Sequence, residues 1–230
     1  MPLHFAKAAD LLIPSLLHGF GVVIQATILG FILATFIGLI IAIGRLSSIK
    51  IIRGFLYLLL ELIRGTPLLV QLVYIYYVVP LLLNLIAGLF GYKTDVQIAS
   101  LTAGILGLGI NYGCYMSEVI RAAIIAVDPG QTEAALALGF GKYQALFRIV
   151  MPQALRSIIP SLGNYLVMMV KDTSLLAYVA VNELLLRTQT FASQTFLTIE
   201  SYTFLALAYL IISVPLSHLV AFVEHRLKTK

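Results

Sequence analysis

The feature that most constrains this chain is the gathering of its apolar residues into five long blocks, at about 17–43, 55–79, 98–120, 158–180 and 202–223. An α-helix rises roughly 1.5 Å per residue, so about 20 residues cross the ~30 Å hydrocarbon layer of a bilayer. Half-buried strands or surface helices would show period 2 or 3.6, whereas these blocks are continuous. No water is present inside a bilayer to satisfy backbone N–H and C=O groups, so each block must be helical. Composition agrees: 60% of the residues are hydrophobic and 11% charged, against about half and a quarter in soluble domains. The expected fold is all-α, a polytopic membrane protein with five transmembrane helices in a single domain over residues 1–230.

The formal net charge of +5 does not mark a nucleic-acid surface, because Lys and Arg sit singly at block edges and form no stripe. They act instead as topology signals, since cytoplasmic loops carry the basic excess. With the N-terminus outside, the inner segments hold Arg45, Lys50, Arg53, Arg121, Lys142, Arg148, Arg156, Arg226, Lys228 and Lys230, and the outer ones only Lys7, Lys93 and Arg187. The expected topology is therefore N-terminus outside and C-terminus cytoplasmic. The start, with Lys7 and Asp10 before the first long apolar run, offers no cleavage site of the signal-peptide kind, so the first block is expected to stay. Cys114, inside a block, is the only cysteine, which excludes an internal disulfide or a Cys-based metal site. His4, His18, His218 and His225 lack metal-ligand spacing, and no cofactor is expected.

One long inner connection, about 121–157, mixes charges with Ala, Leu and Gly at helical spacing. It is too polar to span and too patterned to be a linker. Asp128, Pro129 and Gly130 mark a turn, 131–138 reads as a short alanine-rich helix, and Gly139 and Gly141 end it. Glu133 falls in its first turn, where the helix dipole favours a carboxylate by roughly 0.3–1 kcal/mol. Ala134, Ala135 and Ala137 give a low profile that lets a partner approach closely.

Glu133-Ala134-Ala135, three residues, Gly139, nine residues, Ile149 and then Pro152 resemble the cytoplasmic loop signature of ABC importer permeases, with Met151 where leucine is commonest. The segments 64–71 (RGTPLLVQ), 130–135 (GQTEAA) and 171–175 (KDTSL) resemble the permeases that import polar amino acids of the His, Glu, Gln, Arg and opine type. The likeness covers about 17–227. It implies a subunit of a type I importer in the bacterial plasma (inner) membrane, forming the translocation pathway. Its expected partners are an ABC ATPase dimer, a second permease subunit, identical or homologous, and an extracytoplasmic substrate-binding protein, together with membrane lipid. Residues 133–152 would couple it to the ATPases. The chain has no phosphate loop: Gly107, Gly109 and Gly113 lie in an apolar block with no following lysine. ATP hydrolysis is thus expected in a partner, and this subunit is not an enzyme.

A charge near the bilayer centre costs roughly 2.5–3.5 kcal/mol, so charges inside blocks invite a pathway reading. Glu61 and Arg64 are three apart on one helical face and could neutralise each other or line a path. Pro67, just after Thr66, bends the span if it is helical and frees backbone carbonyls. Lys171 and Asp172, with Thr173 and Ser174, could meet both charges of a zwitterion, or Lys171 could snorkel to headgroups. Asn111 is polar within the third block, where Gly109 and Gly113 form a close-packing ridge against a neighbour. Glu61, Arg64, Thr66, Asn111, Lys171, Asp172, Thr173 and Ser174 are the candidate pathway residues. The alternative is an autonomous ion-coupled carrier or channel. Such carriers often pair broken helices in internal repeats, and Pro67 has no counterpart elsewhere.

Overall fold

The computed structural model describes residues 3–228, nearly all of them helical. Helix α1 is Phe5–Arg45, α2 Lys50–Arg64, α4 Ser100–Ile125, α5 Pro129–Ala137, α6 Met151–Asp172, α7 Leu184–Thr195 and α8 Thr198–Lys228; between α2 and α4 runs α3, Leu68–Leu89. The first helix begins well before the apolar block. Its opening turns carry Lys7 and Asp10 but still bury Ala8, Leu12 and Leu16 at helical spacing.

The ends of the helices set the bundle's direction. His4 N–H donates to Glu200 Oε1 at 2.7 Å, joining the starts of α1 and α8. Arg45 donates to Glu118, joining the far ends of α1 and α4. Helices α1, α4 and α8 therefore run one way, and α2, α3 and α6 return between them. By length and apolarity alone α1, α3 and α8 qualify as spans. Helix α4 is more polar because it is the centre of the bundle: thirteen of its 26 residues are buried, Asn111, Tyr112 and Ser117 among them. Shielded by protein, it needs no apolar coat.

The Gly109 and Gly113 ridge meets α1 of the same chain. Gly30, Ala34 and Gly38 are buried on α1, and a Cβ added to Gly38 would lie 3.1 Å from the Gly113 carbonyl oxygen. A Cβ on Gly113 would come within 2.8 Å of Ile37 and 3.1 Å of the Ala34 carbonyl. Small residues on both helices thus bring the backbones together, as membrane helices do where no hydrophobic effect drives association. Gly113→Leu is expected to destabilise the bundle by about 1–3 kcal/mol, read as a melting-temperature drop of roughly 2–4 °C per kcal/mol in detergent.

Two π-turns interrupt the helices, Tyr74–Val78 and Leu146–Val150, each two residues before a proline, Pro80 and Pro152. A proline has no N–H for the carbonyl four residues back, and its ring pushes that carbonyl away. The preceding turn widens by one residue in response. Helical structure is otherwise unbroken from 142 to 172.

A candidate translocation cavity and a coupling hairpin

The sequence reading places Pro67 inside a span from 55 to 79. In the structure Pro67 has φ −61 and ψ 141 and stands just before α3, so the helix breaks outright between Arg64 and Leu68. The residue before a proline resists the α region, and Thr66 instead closes on the end of α2, its hydroxyl donating to the Leu62 carbonyl at 3.1 Å. The break leaves carbonyls without helical partners. Gln71 covers them: its Nε2 donates to Ile63 O at 2.6 Å and to Thr66 O at 3.1 Å. Asn111 Nδ2 on α4 then donates to Gln71 Oε1 at 3.1 Å, tying the break to the bundle's centre.

Beside this break lies a cavity of about 410 Å³. One wall is the break itself, Arg64 to Leu68. Asn111, Tyr112 and Tyr115 of α4 form the second wall, and Tyr165, Met168 and Asp172 of α6 the third. Tyr112 Oη donates to Asp172 Oδ2 at 2.7 Å, while Oδ1 has no partner among the described residues. Tyr112 and Tyr165 pack edge to face, ring centroids 6.0 Å apart. Arg64 lies over the Tyr115 ring at 5.4 Å, a cation–π contact.

Four of the candidate pathway residues, Arg64, Thr66, Asn111 and Asp172, share this cavity. The other four do not. Glu61 and Arg64 do not pair among the described residues; Arg64 lies instead 3.7 Å from Glu118, a carboxylate that also holds Arg45 and, at 3.5 Å, Arg121. Of the three guanidiniums around this carboxylate, Arg64 alone lines the cavity. Lys171 and Asp172 do not face one ligand either. Successive helical residues point about 100° apart, and Lys171 faces a separate groove toward α8. Thr173 is buried with its hydroxyl on the Val170 carbonyl at 2.6 Å, and Ser174 lies outside the cavity lining. Missed from sequence were Tyr112, Tyr115, Tyr165 and Met168, ordinary apolar-block residues until α4 and α6 are set side by side.

At the end of the bundle marked by Arg45 and Glu118, α5 is a short helix capped at both ends. The Asp128 carboxylate accepts the Gly130 N–H at 2.8 Å, and Pro129 opens the helix. Gly139, at φ +84, closes it: its N–H reaches the Leu136 carbonyl at 3.0 Å, and Phe140 N–H reaches Ala135 O at 3.1 Å. Ala135 is buried while Glu133, Ala134 and Ala137 are exposed. Gln153 Nε2, one residue after Pro152, binds both Gln131 Oε1 and the Ile149 carbonyl, holding the hairpin against the start of α6. Leu138 is 80% exposed and Tyr143 77%, an apolar surface beside the alanine face that sequence reasoning did not single out.

A bundle of membrane-length helices that borders a cavity with charged and polar residues in its walls and carries a capped hairpin at one end has the architecture of a transport permease. The chain belongs to the binding-protein-dependent transport system inner membrane component family, which residues 34–229 match. It is 32% identical over 216 residues to the glutamine transport system permease protein of Escherichia coli, covering 94% of each chain. It is 36% identical over 176 residues to the L-cystine transport system permease protein of Bacillus subtilis, covering 76% of this chain and 70% of that one. Among solved structures, a chain of an amino acid ABC transporter with histidines superposes with a TM-score of 0.83 at 34% identity, over 98% of this chain and 100% of the other. A methionine ABC transporter in inward-facing conformations shares the fold, with a TM-score of 0.63 at 17% identity.

Proposed function

We propose that this chain is one of two permease subunits in an ATP-driven importer of polar amino acids, and that the cavity beside the Arg64–Leu68 break holds the cargo. The observation that carries this is the pairing, in one cavity, of a guanidinium with a carboxylate that keeps one oxygen free. A zwitterion would set its carboxylate toward Arg64 and its ammonium toward Asp172, each contact charge-assisted. The three tyrosines and Met168 shape the space around the side chain. The substrate names of the glutamine and cystine relatives point to the same chemical class.

The polypeptide crosses the bacterial inner membrane five times, the break joining α2 and α3 into one crossing, with the N-terminus outside and α5 in the cytoplasm. An ATPase dimer docks on Glu133, Ala134, Ala137 and Leu138, and Gly139, Ile149 and Pro152 shape the hairpin that receives it. ATP is hydrolysed in that partner, and this chain holds no cofactor of its own. An extracytoplasmic binding protein delivers cargo to the opposite end. Force has a short route: the helical run 142–172 starts in the hairpin and ends on Asp172, so a push at one end displaces a cavity wall at the other.

Reconstitution in liposomes tests the reading. Together with its ATPase and binding protein, the chain is expected to accumulate radiolabelled glutamine, histidine or arginine only when ATP is present inside. Accumulation by the chain alone, driven by a proton or sodium gradient, would replace this reading with that of an autonomous carrier.

A further inference from the structure

Away from the cargo cavity, α1, α6 and α8 leave a long apolar groove on the flank of the bundle. It consists of two hollows, of about 410 and 300 Å³, that share Leu166 of α6 and Leu216 and Leu219 of α8. Along α8 the lining runs from Ile211 to Val223, about 18 Å at 1.5 Å per residue, close to the ~15 Å of one leaflet in a ~30 Å hydrocarbon layer. The floor closes where α6 meets α8: a Cβ added to Gly163 would lie 2.7 Å from Val220. The rim is open, with Ile28, Ile211 and Leu219 all more than half exposed. Thr27 is the only lining residue with a side-chain donor, and its hydroxyl is buried, so nothing polar meets an occupant.

The groove ends in a different chemistry on the side of the coupling hairpin. Arg156 precedes Ile159, Pro160 and Gly163 by three, four and seven residues, which sets it on the groove face of α6. It is exposed and has no carboxylate within 4.0 Å among the described residues. On α8, Arg226 follows Leu219 by seven residues and Val223 by three, again on the groove face, and its guanidinium stands 5.2 Å over the Phe222 ring. Helices α6 and α8 run in opposite directions and meet at Gly163 and Val220. Arg156 lies seven residues before that meeting point and Arg226 six after it, so both come to one level, roughly 10 Å beyond it. Glu224, at the same level of α8, points about 160° round the helix from Arg226.

We infer that this groove seats an anionic phospholipid of the cytoplasmic leaflet, one acyl chain lying along α8 from Val223 toward Ile211 and the phosphate held at Arg156, with Arg226 beside it. The inference rests on the reading that the hairpin, and with it the start of α6, is cytoplasmic. An apolar trough one leaflet deep accepts a single chain, and the arginine at its mouth selects the headgroup. A guanidinium meets two phosphate oxygens at once, in a planar pair that a lysine does not form. The cytoplasmic leaflet carries the anionic lipids that basic residues near the membrane surface attract. A zwitterionic lipid brings its own cation next to its phosphate and gains less from a site already holding two arginines.

The chain contains no tryptophan, so one introduced indole can report the groove by fluorescence. Leu219→Trp places it on the rim common to both hollows, and Phe36→Trp, at an exposed position of α1 outside the lining, reports the surrounding lipid. The full chain is inserted in phosphatidylcholine vesicles, and quenching is followed as brominated phosphatidylglycerol or brominated phosphatidylcholine replaces part of the lipid. The expected result is a preference for phosphatidylglycerol of about fivefold or more at 219, the effect of one basic residue at an anionic surface, and none at 36. Adding Arg156→Gln to Leu219→Trp should remove most of that preference, and Arg156→Lys, which keeps the charge and checks that the fold survives, should retain part of it. Equal quenching by the two lipids at 219 overturns the site, and so does a preference that survives Arg156→Gln. Absence of quenching by either lipid at 219 means that protein covers the groove, which overturns it too. ATP-driven uptake by the complete transporter in the same lipids separates the two readings. Uptake with no preference at 219 removes the lipid seat alone, and a preference at 219 without uptake of any amino acid removes the transport reading alone.

Discussion

Asp172→Asn is expected to lower ATP-driven uptake of cargo, supplied well below saturation, by about tenfold to a hundredfold, with the amount of assembled transporter unchanged. Asparagine keeps the size of the side chain and can still accept the Tyr112 hydroxyl that Asp172 holds at 2.7 Å. Only the negative charge facing the cavity is lost. A hydrogen bond to a charged group is worth about 1.5–3 kcal/mol, and each 1.36 kcal/mol is tenfold, which sets the range. Tyr112→Phe is the companion variant. It leaves the carboxylate charged but free to turn, and its effect on uptake should be several times smaller. Resting ATP hydrolysis should be the same in both, since neither residue is near the hairpin. Uptake by the asparagine variant within twofold of the parent protein would show that cargo does not use this carboxylate.

The bundle was legible in the sequence because bilayer thickness imposes a length on every crossing, and because a long apolar run has no soluble alternative. The hairpin was legible for a different reason: Asp128, Pro129 and Gly139 each do a local job that depends on neighbours within four residues. The cavity was only half legible. Arg64, Thr66, Asn111 and Asp172 stood out because polar groups are costly inside a span, and that cost reveals them wherever they point. It does not reveal direction. Lys171 and Asp172 are adjacent in sequence but about 100° apart on the helix, so one meets the cavity and the other a different groove. Glu61 lost its expected partner because Glu118, 54 positions beyond Arg64 and brought in by α4, competes for that arginine. Such competition is a tertiary fact with no local signal. The tyrosines were invisible for the opposite reason, since an aromatic ring in an apolar block looks the same whether it faces lipid or cargo. The ridge of Gly109 and Gly113 announced close packing, and the matching Gly30, Ala34 and Gly38 on α1 could have named the neighbour.

Gly139→Val is expected to abolish ATP-driven uptake while the chain still inserts and still holds cargo. At φ +84 a side chain is strained, by about 1–3 kcal/mol for a residue forced to stay, and a branched Cβ is among the worst tolerated there. Relieving that strain breaks the two closing bonds, Gly139 N–H to Leu136 O and Phe140 N–H to Ala135 O. Ala135 then loses its buried seat, and the exposed edge of Glu133, Ala134 and Ala137 tilts relative to α6. With that edge tilted, the chain is expected to insert and hold cargo while passing no motion to the 142–172 run. Glu133→Lys reaches the same end without touching the backbone, by reversing the charge on the docking face. Both variants should therefore keep normal membrane levels, Glu133→Lys with an unchanged melting profile in detergent and Gly139→Val with one lowered by no more than that local strain, and both should lose the rise in ATP hydrolysis that cargo-loaded binding protein brings about. Full uptake in either would mean that the ATPases push on this chain somewhere other than α5, and the path from hairpin to Asp172 would have no role in transport.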